Sequence, residues 1–158
     1  ADALNAFEQE PAALVGREGR DLIITPHPGE MARLVGLSTH EVQANRLTIA
    51  RDFATAHHLY VILKGHRTLI ATPGGAVFIN PTGNPGMAKG GSGDVLTGIV
   101  GALLAREIEP AAALRAGCYA HGLAADVAVR ERGEYGMLAS DIIESLPAAL
   151  RALAEGAA

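Results

Sequence analysis

The chain has 158 residues, of which 49% are hydrophobic and 19% charged, so it is long enough for one globular core and too apolar to be disordered. Its net charge of −4 argues against a nucleic-acid-binding surface, and no apolar run is long enough to cross a bilayer. The single cysteine, Cys118, excludes an internal disulfide, so a cytoplasmic location is the default expectation. We therefore expect a compact α/β enzyme without a nucleic-acid or membrane partner.

Hydrophobic periodicity predicts alternating strands and helices in the first half of the chain and helices in the second. The strands are expected at residues 21–25, 59–65, 68–72 and 76–80, the last two as a hairpin. The helices are expected at residues 1–15, 30–35, 38–57, 95–104, 110–130, 142–146 and 147–154, and residues 38–41 (STHE) are expected to cap the third of them. This alternation predicts an α/β fold with a mostly parallel sheet that helices cover on both faces.

A glycine-rich run before the helix at residues 95–104 carries the strongest functional signal. Gly90, Gly91 and Gly93 lack Cβ atoms, and the first N–H groups of a helix have no internal partner. We expect the amides of these glycines and of Ser92 to hold an anion such as a phosphate. Asp94 would then take a proton or hold a metal. The alternative is a tight loop in which Ser92 or Asp94 only caps the helix.

A second candidate loop follows the first predicted strand, where open α/β sheets place ligands. His27 lies between two prolines, which stiffen its backbone, and Glu30 follows three residues later. His27 is a candidate ligand-binding residue. The alternatives are a turn histidine bonded to the backbone and, for Glu30, a first-turn carboxylate that complements the helix dipole.

A third candidate loop follows the clearest predicted strand. Lys64 ends that strand, and Gly65, His66, Arg67 and Thr68 come next. These residues offer positive charge and a hydroxyl group for a nucleotide phosphate or ribose. The alternative for Lys64 is a surface lysine whose aliphatic stem lies along apolar groups.

Six segments carry a resemblance to a known family through their order and spacing. They are residues 1–5 (ADALN), 25–30 (TPHPGE), 63–65 (LKG), 82–88 (TGNPGMA), 90–98 (GGSGDVLTG) and 121–124 (HGLA). Together they resemble the ADP-dependent NAD(P)H-hydrate dehydratases, which have a ribokinase-like fold. The resemblance covers nearly the whole chain.

The resemblance implies dehydration of the S epimer of hydrated NADH or NADPH, with ADP consumed, AMP and phosphate released, and Mg²⁺ required. It implies that His27 contacts the hydrated dinucleotide and that residues 64–68 and Gly93 line the AMP site. Asp94 would meet the substrate at the reacting hydroxyl and act as a base. Glu30 is a candidate to hold Mg²⁺ through water. This chemistry fits phosphoryl transfer, which needs alignment, a metal and hydrogen-bond donors more than covalent help.

The chain also departs from the family pattern. A whole family domain is about twice as long, so residues 1–158 resemble one α/β domain that is the C-terminal half of it. We therefore expect a homo-oligomer or a complementing N-terminal half as partner. Lys89 stands where a small residue is expected, and Asn45 precedes Arg46 where the family often has Asp, which puts a local salt bridge in doubt. The alternative functions are a ribokinase-like, ATP-dependent small-molecule kinase and a catalytically incomplete nucleotide-binding fragment.

Overall fold

A computed structural model describes residues 2–8, 10–17 and 19–156. Contacts divide the chain into two compact units, Ala1–Ile79 and Asn80–Ala158. The first unit contains a sheet with its helices, and the second is helical. The predicted helix over residues 1–15 includes Ala1 and Gln9, which lie outside the described residues. In the described part, this segment has only one helical turn and a 3-10 turn at Pro11–Ala13.

In its described residues, the first unit has a four-stranded sheet. Its strands, in spatial order, are β1 (Ile23–Ile24), β2 (Tyr60–Leu63), β3 (Leu69–Ala71) and β4 (Val77–Ile79). β1 and β2 are parallel, whereas β2–β3 and β3–β4 are antiparallel. The α/β class and the hairpin are confirmed, but the mostly parallel sheet is wrong for these strands. The connections over residues 64–68 and 72–76 are too short for the crossover that a parallel pair needs.

The described part of the first unit has four helices. They are α1 (Asp2–Asn5), α2 (Pro28–Val35), α3 (Thr39–Ala44) and α4 (Arg46–Ala56). The predicted cap is confirmed, because Ser38 Oγ accepts the N–H of Glu41 at 3.2 Å and Glu41 Oε2 accepts the N–H of Ser38 at 2.8 Å. The single helix predicted over residues 38–57 is instead two helices, because Asn45 has non-helical angles (φ −125°, ψ 27°).

A buried apolar core fixes β1 and β2 in the first unit. Its largest members come from the sheet and from α2 and α4, among them Met31, Leu34, Phe53, Val61, Leu63 and Leu69. Because β1 and β2 run parallel, the loops that follow them leave the same edge of the sheet. The N–H of Lys64 donates to the carbonyl of Pro26 at 2.9 Å, so the two loops are joined directly.

The described part of the second unit contains three long helices. They are α5 (Ser92–Leu104), α6 (Pro110–Gly136), which kinks at Gly133, and α7 (Ala139–Ala154). We predicted separate helices on either side of Pro147, but α7 runs through it. Proline lacks the N–H that would bond the carbonyl of residue 143. Ile143 is 56% exposed, so water can satisfy that carbonyl.

Small residues bring α5 and α6 together within the second unit. A Cβ atom added at Gly117 would lie 2.8 Å from Cγ2 of Val100, so only glycine permits this approach. Cys118 on the same helix is 2% exposed, and burial raises its pKa to about 12, so it remains a packed thiol. Within the described part of the chain, no helix is both long and apolar enough to cross a membrane.

Candidate functional site

His27 forms the N-cap of α2. Its Nδ1 accepts the N–H groups of Gly29 and Glu30 at 3.0 and 3.2 Å, and Glu30 Oε2 accepts the N–H of His27 at 2.6 Å. The alternative of a backbone-bonded turn histidine is therefore correct as a description of its local contacts. Because Nδ1 accepts hydrogen bonds, a neutral ring carries its proton on Nε2. The His27 side chain is 51% exposed, so the ring is also accessible to a ligand.

Glu30 is an almost fully buried carboxylate beside a lysine. Its side chain is 1% exposed, and Oε2 lies 3.7 Å from Nζ of Lys64. Burial alone would raise the pKa of Glu30. The hydrogen bond from His27 and the charge of Lys64 outweigh burial and hold that pKa below its usual range. Lys64 is therefore an ion-paired lysine, with 26% of its side chain exposed, and not only a surface lysine lying along apolar groups.

The loop after β2, residues 64–68, has an unusual backbone conformation. Gly65 has φ +137°, and Arg67, a non-glycine residue, has φ +53°. The Thr68 hydroxyl donates to the carbonyl of Gly65 at 3.1 Å, and this hydrogen bond within the loop stabilises the turn. His66 and Arg67 are exposed and Thr68 is half-buried. The structure thus holds the predicted nucleotide-binding residues of this loop together on one short, ordered turn.

Arg46 contacts the backbone of this loop, and we assigned it no functional role from the sequence. Its guanidinium donates to the carbonyls of His66, Leu63 and Lys64, at 2.5, 3.2 and 3.5 Å. The local salt bridge that Asn45 put in doubt has no carboxylate at residue 45, and Asn45 Nδ2 donates to the carbonyl of Glu41. The one available signal was a cation in the first turn of a helix, where the dipole disfavours positive charge.

The glycine-rich run of the second unit leads directly into α5. Gly91 is the N-cap of α5, with φ +87°, and no described side chain caps this helix. Ser92 begins the helix and is 6% exposed, whereas Asp94 lies exposed in the first turn. The alternative in which Ser92 or Asp94 caps α5 is therefore wrong. A Cβ atom added at Gly90 would lie more than 4 Å from the atoms of the described residues around it, so the backbone is open to close approach there.

Asp126 on α6 anchors the segment before the glycine-rich run, and little in the sequence indicates this. Its carboxylate accepts the N–H of Gly83 at 2.8 Å and the side-chain amide of Asn84 at 2.9 Å. Asn84 Oδ1 in turn accepts the N–H of Gly86 at 3.1 Å. The only local signal is a carboxylate within a run of small and apolar residues. Lys89 Nζ donates to the carbonyl of Tyr135 at 2.6 Å, so Lys89 ties this segment to the end of α6.

The segment at residues 121–124 packs against the chain that enters the glycine-rich run. A Cβ atom at Gly122 would overlap Oγ1 of Thr82, whose hydroxyl donates to the carbonyl of Tyr119 at 3.0 Å. His121 is 6% exposed. Burial lowers its pKa to about 4, although the main chain of Ser92 acts in the opposite direction. His121 is therefore a packed, neutral histidine.

An α/β chain with ligand-type loops at strand ends and a glycine-rich helix N-terminus is typical of nucleotide-binding enzymes. A family model described as NAD(P)H-hydrate dehydratase matches residues 1–148. The chain belongs to this family. The bifunctional NAD(P)H-hydrate repair enzyme Nnr of Moorella thermoacetica is 50% identical over 155 residues, which make up 98% of this chain and 29% of that protein. The ADP-dependent (S)-NAD(P)H-hydrate dehydratase of Neisseria meningitidis serogroup B is 43% identical over 90% of this chain and 49% of its own length.

Solved structures agree with the family and with the ribokinase-like fold. The ADP/ATP-dependent NAD(P)H-hydrate dehydratase of Bacillus subtilis, co-crystallised with ATP and Mg²⁺, has a TM-score of 0.80 and 37% identity over 83% of this chain and 48% of that one. A ribokinase-like superfamily protein of Enterococcus faecalis has a TM-score of 0.74 and 30% identity over 96% of this chain and 50% of that one. The chain thus spans about half the length of these structures and of the Neisseria relative, and less than a third of the bifunctional one.

Proposed function

We propose that the chain takes part in the ADP-dependent dehydration of the S epimer of hydrated NADH or NADPH, which yields NAD(P)H, AMP and phosphate. The Neisseria relative carries this activity in its name and is 43% identical over most of the chain. One structural observation supports the proposal most strongly. The N-terminus of α5 begins at a left-handed glycine, is not capped by a described side chain, and carries the exposed Asp94 in its first turn. Such an end can hold a phosphate beside a base.

Asp94 is the proposed base. Its carboxylate accepts the proton of the substrate hydroxyl as that oxygen attacks the β-phosphorus of ADP, and AMP leaves. The C–O bond then breaks, phosphate departs with the bonding electrons, and the neighbouring carbon loses a proton to water as the double bond forms. The amides of residues 90–93 would stabilise the negative charge of the transferring phosphoryl group.

Residues 64–68 are the proposed nucleotide-binding loop of the first unit, and His27 is the proposed contact to the hydrated dinucleotide. The positive charges of Lys64 and Arg67 and the hydroxyl of Thr68 suit a nucleotide phosphate and ribose. The capping bonds of His27 use its Nδ1, so Nε2, which lies 3.7 Å from Oε2 of Glu30, is the ring position for a substrate contact. The alternative function is a kinase in which the same residues would support transfer of a phosphoryl group from ATP to a small alcohol. The phosphoryl donor distinguishes the two functions: ADP for the dehydratase and ATP for the kinase.

The family implies Mg²⁺, and we propose that Glu30 holds it through a water molecule. Oε2 of Glu30 accepts the N–H of His27 and lies 3.7 Å from the Lys64 ammonium, so a direct metal bond would compete with both groups. Mg²⁺ usually keeps several waters, which makes a water-mediated contact compatible with this donor set. Among the described residues, no three His, Cys, Asp or Glu side chains could hold a metal together, so phosphate oxygens would supply other ligands. Bound Mg²⁺ would neutralise phosphate charge.

The remaining proposals concern the assembly. We propose that residues 1–158 act as the C-terminal half of a ribokinase-like domain, because the chain spans about half of the Neisseria relative. A homo-oligomer or a separate N-terminal half would supply the other part. A cytoplasmic location fits a single buried cysteine and a nucleotide substrate.

Asp94→Asn tests the proposed function. The amide keeps the size of the side chain but cannot take the proton, so turnover should fall by about a thousandfold or more, in line with the loss of a catalytic base. ADP affinity, measured by isothermal titration, should stay within about threefold of the original chain.

Asp141→Asn is the matched control, because Asp141 also lies in the first turn of a helix, where it accepts the N–H of Leu138 at 2.7 Å. It should leave turnover nearly unchanged. If Asp94→Asn turned over hydrated NADH as fast as the original chain, Asp94 would not be the base.

A further inference from the structure

We propose that Arg46 is a positioning residue for the loop of residues 64–68, turning the backbone N–H groups of Gly65 and Arg67 toward the phosphate of a bound nucleotide. The inference rests on the proposed function of this loop and adds a residue outside the loop to it. Arg46 lies at the start of α4 and is half-buried.

The contacts of the guanidinium carry the inference. Its Nη1 donates to the carbonyl of His66 at 2.5 Å, and its Nη2 donates to the carbonyls of Leu63 and Lys64 at 3.2 and 3.5 Å. Three carbonyls within four residues thus face one cation. A planar guanidinium with a fixed fork of donors can hold such a set, whereas the single ammonium of a lysine cannot.

Peptide geometry then fixes where the N–H groups face. The peptide bonds of the described residues are trans, so each carbonyl points opposite to the N–H of the next residue. The peptide between Leu63 and Lys64 shows this directly, because its carbonyl faces Arg46 and its N–H donates to Pro26. By the same rule, the N–H groups of Gly65 and Arg67 point away from Arg46. Among the described residues none accepts from either group, so both are available to an anion.

The loop conformation depends on Arg46 staying in place. Gly65 has φ +137°, and a Cβ atom there would lie 3.1 Å from Nη2 of Arg46. Arg67 is held at φ +53°, which an L residue rarely adopts without support from its surroundings. Without the guanidinium, the three carbonyls would have no common donor and the peptides could rotate. The two N–H groups would then lose their common direction.

The test compares Arg46→Lys and Arg46→Gln in the whole chain, with Arg51→Lys and Arg51→Gln as matched controls. Arg51 lies on the same helix but is exposed, and it pairs only with Asp52 among the described residues. Isothermal titration with ADP and AMP gives the affinity, and hydrogen–deuterium exchange reports on residues 64–68. We expect both Arg46 variants to weaken ADP and AMP binding by about tenfold or more, as for the loss of a charged hydrogen bond. Exchange should accelerate in the loop and not in the core strands.

The lysine variant separates positioning from charge. If Arg46 acted only through its positive charge, Arg46→Lys would bind ADP like the original chain, and the proposal would be overturned. Binding by both Arg46 variants equal to that of the Arg51 controls would overturn it too. Failure of the original chain to bind ADP would instead remove the proposed function of the loop.

Gly65→Ala keeps the test valid if the Arg46 variants do not fold. An alanine at φ +137° strains the backbone of the loop, and its Cβ atom would lie 3.1 Å from Nη2 of Arg46, so ADP affinity should again fall by about tenfold. In Arg46 variants that do fold, KM for ADP should rise while kcat at saturating ADP stays within about threefold, because Arg46 contacts no reacting group. Unchanged ADP affinity in Gly65→Ala would contradict the proposal.

Discussion

At the scale of single residues, buried ionisable groups show how packing decides charge. Glu30 stays ionised because an N–H group and a lysine compensate for its burial. His121 has too little compensation, since its Nε2 has no hydrogen-bond partner among the described residues and burial lowers its pKa to about 4. The two groups therefore respond to acid in different ways, and His121 gives the clearer prediction.

Protonation of His121 should make the free energy of unfolding depend on pH. Its pKa is lowered from 6.5 to about 4 on folding, so the unfolded chain binds more protons between these values. Stability due to this group is complete above pH 6.5 and falls as the pH drops toward 4, by about 1.4 kcal/mol per pH unit at most. The total loss would be on the order of 3 kcal/mol.

Urea unfolding of His121→Asn, measured across this range, checks that prediction. The variant should lose stability less steeply with acid than the original chain, whatever its stability at neutral pH. His40→Asn, at an exposed position of α3, is the control for replacing a histidine by an asparagine as such. Identical slopes for the original chain and His121→Asn would show that His121 is not the group responsible.

At the scale of elements, the sequence patterns correctly predicted those features that are formed by residues close together in the chain. The cap at Ser38 and the hairpin of β3 and β4 were confirmed, because capping boxes and short turns join residues that are near in sequence. The break at Asn45, the passage of α7 through Pro147 and the parallel share of the sheet were predicted wrongly. Each of these depends on the packing or exposure of groups elsewhere in the fold.

The candidate loops also have features that the sequence predicts and features that it does not predict. Their glycines and charged residues could be recognised from the sequence, and the structure places them on ordered turns. The residues that hold these turns could not be recognised. Arg46 is 17 to 20 residues away from the carbonyls that it contacts, and Asp126 is 42 and 43 residues away from its partners. No local pattern reports contacts at such distances.

Asp126→Asn should loosen the segment before α5. An amide can accept through only one atom, so one of the two bonds to Gly83 and Asn84 would be lost. We expect the free energy of unfolding to fall by about 1–3 kcal/mol, the cost of an unsatisfied, partly buried group. A lower urea midpoint with an unchanged slope would check this.

Asp52→Asn provides the comparison, because Asp52 is an exposed aspartate that pairs with Arg51. Its effect should stay within about 0.5 kcal/mol. Equal midpoints for Asp126→Asn and the original chain would mean that Asp126 does not anchor the segment.

At the scale of the whole molecule, the chain is a member of the NAD(P)H-hydrate dehydratase family with a ribokinase-like fold. It matches relatives along nearly all of its own length and about half of theirs. Its two units each carry proposed functional residues: His27, Glu30 and residues 64–68 in the first, and residues 90–94 in the second. The proposed activity therefore draws on residues of both units.

Recovery of NADH absorbance from S-hydrated NADH, with ADP and Mg²⁺ present, tests the central claim most directly. The chain is assayed by itself and with an N-terminal half of a family member added, and AMP is quantified at the end. We predict that NADH and AMP appear in equal amounts in at least one of these conditions, with ADP as donor. No recovery in either condition, together with ATP-dependent phosphorylation of a small alcohol, would contradict the dehydratase account and favour the kinase.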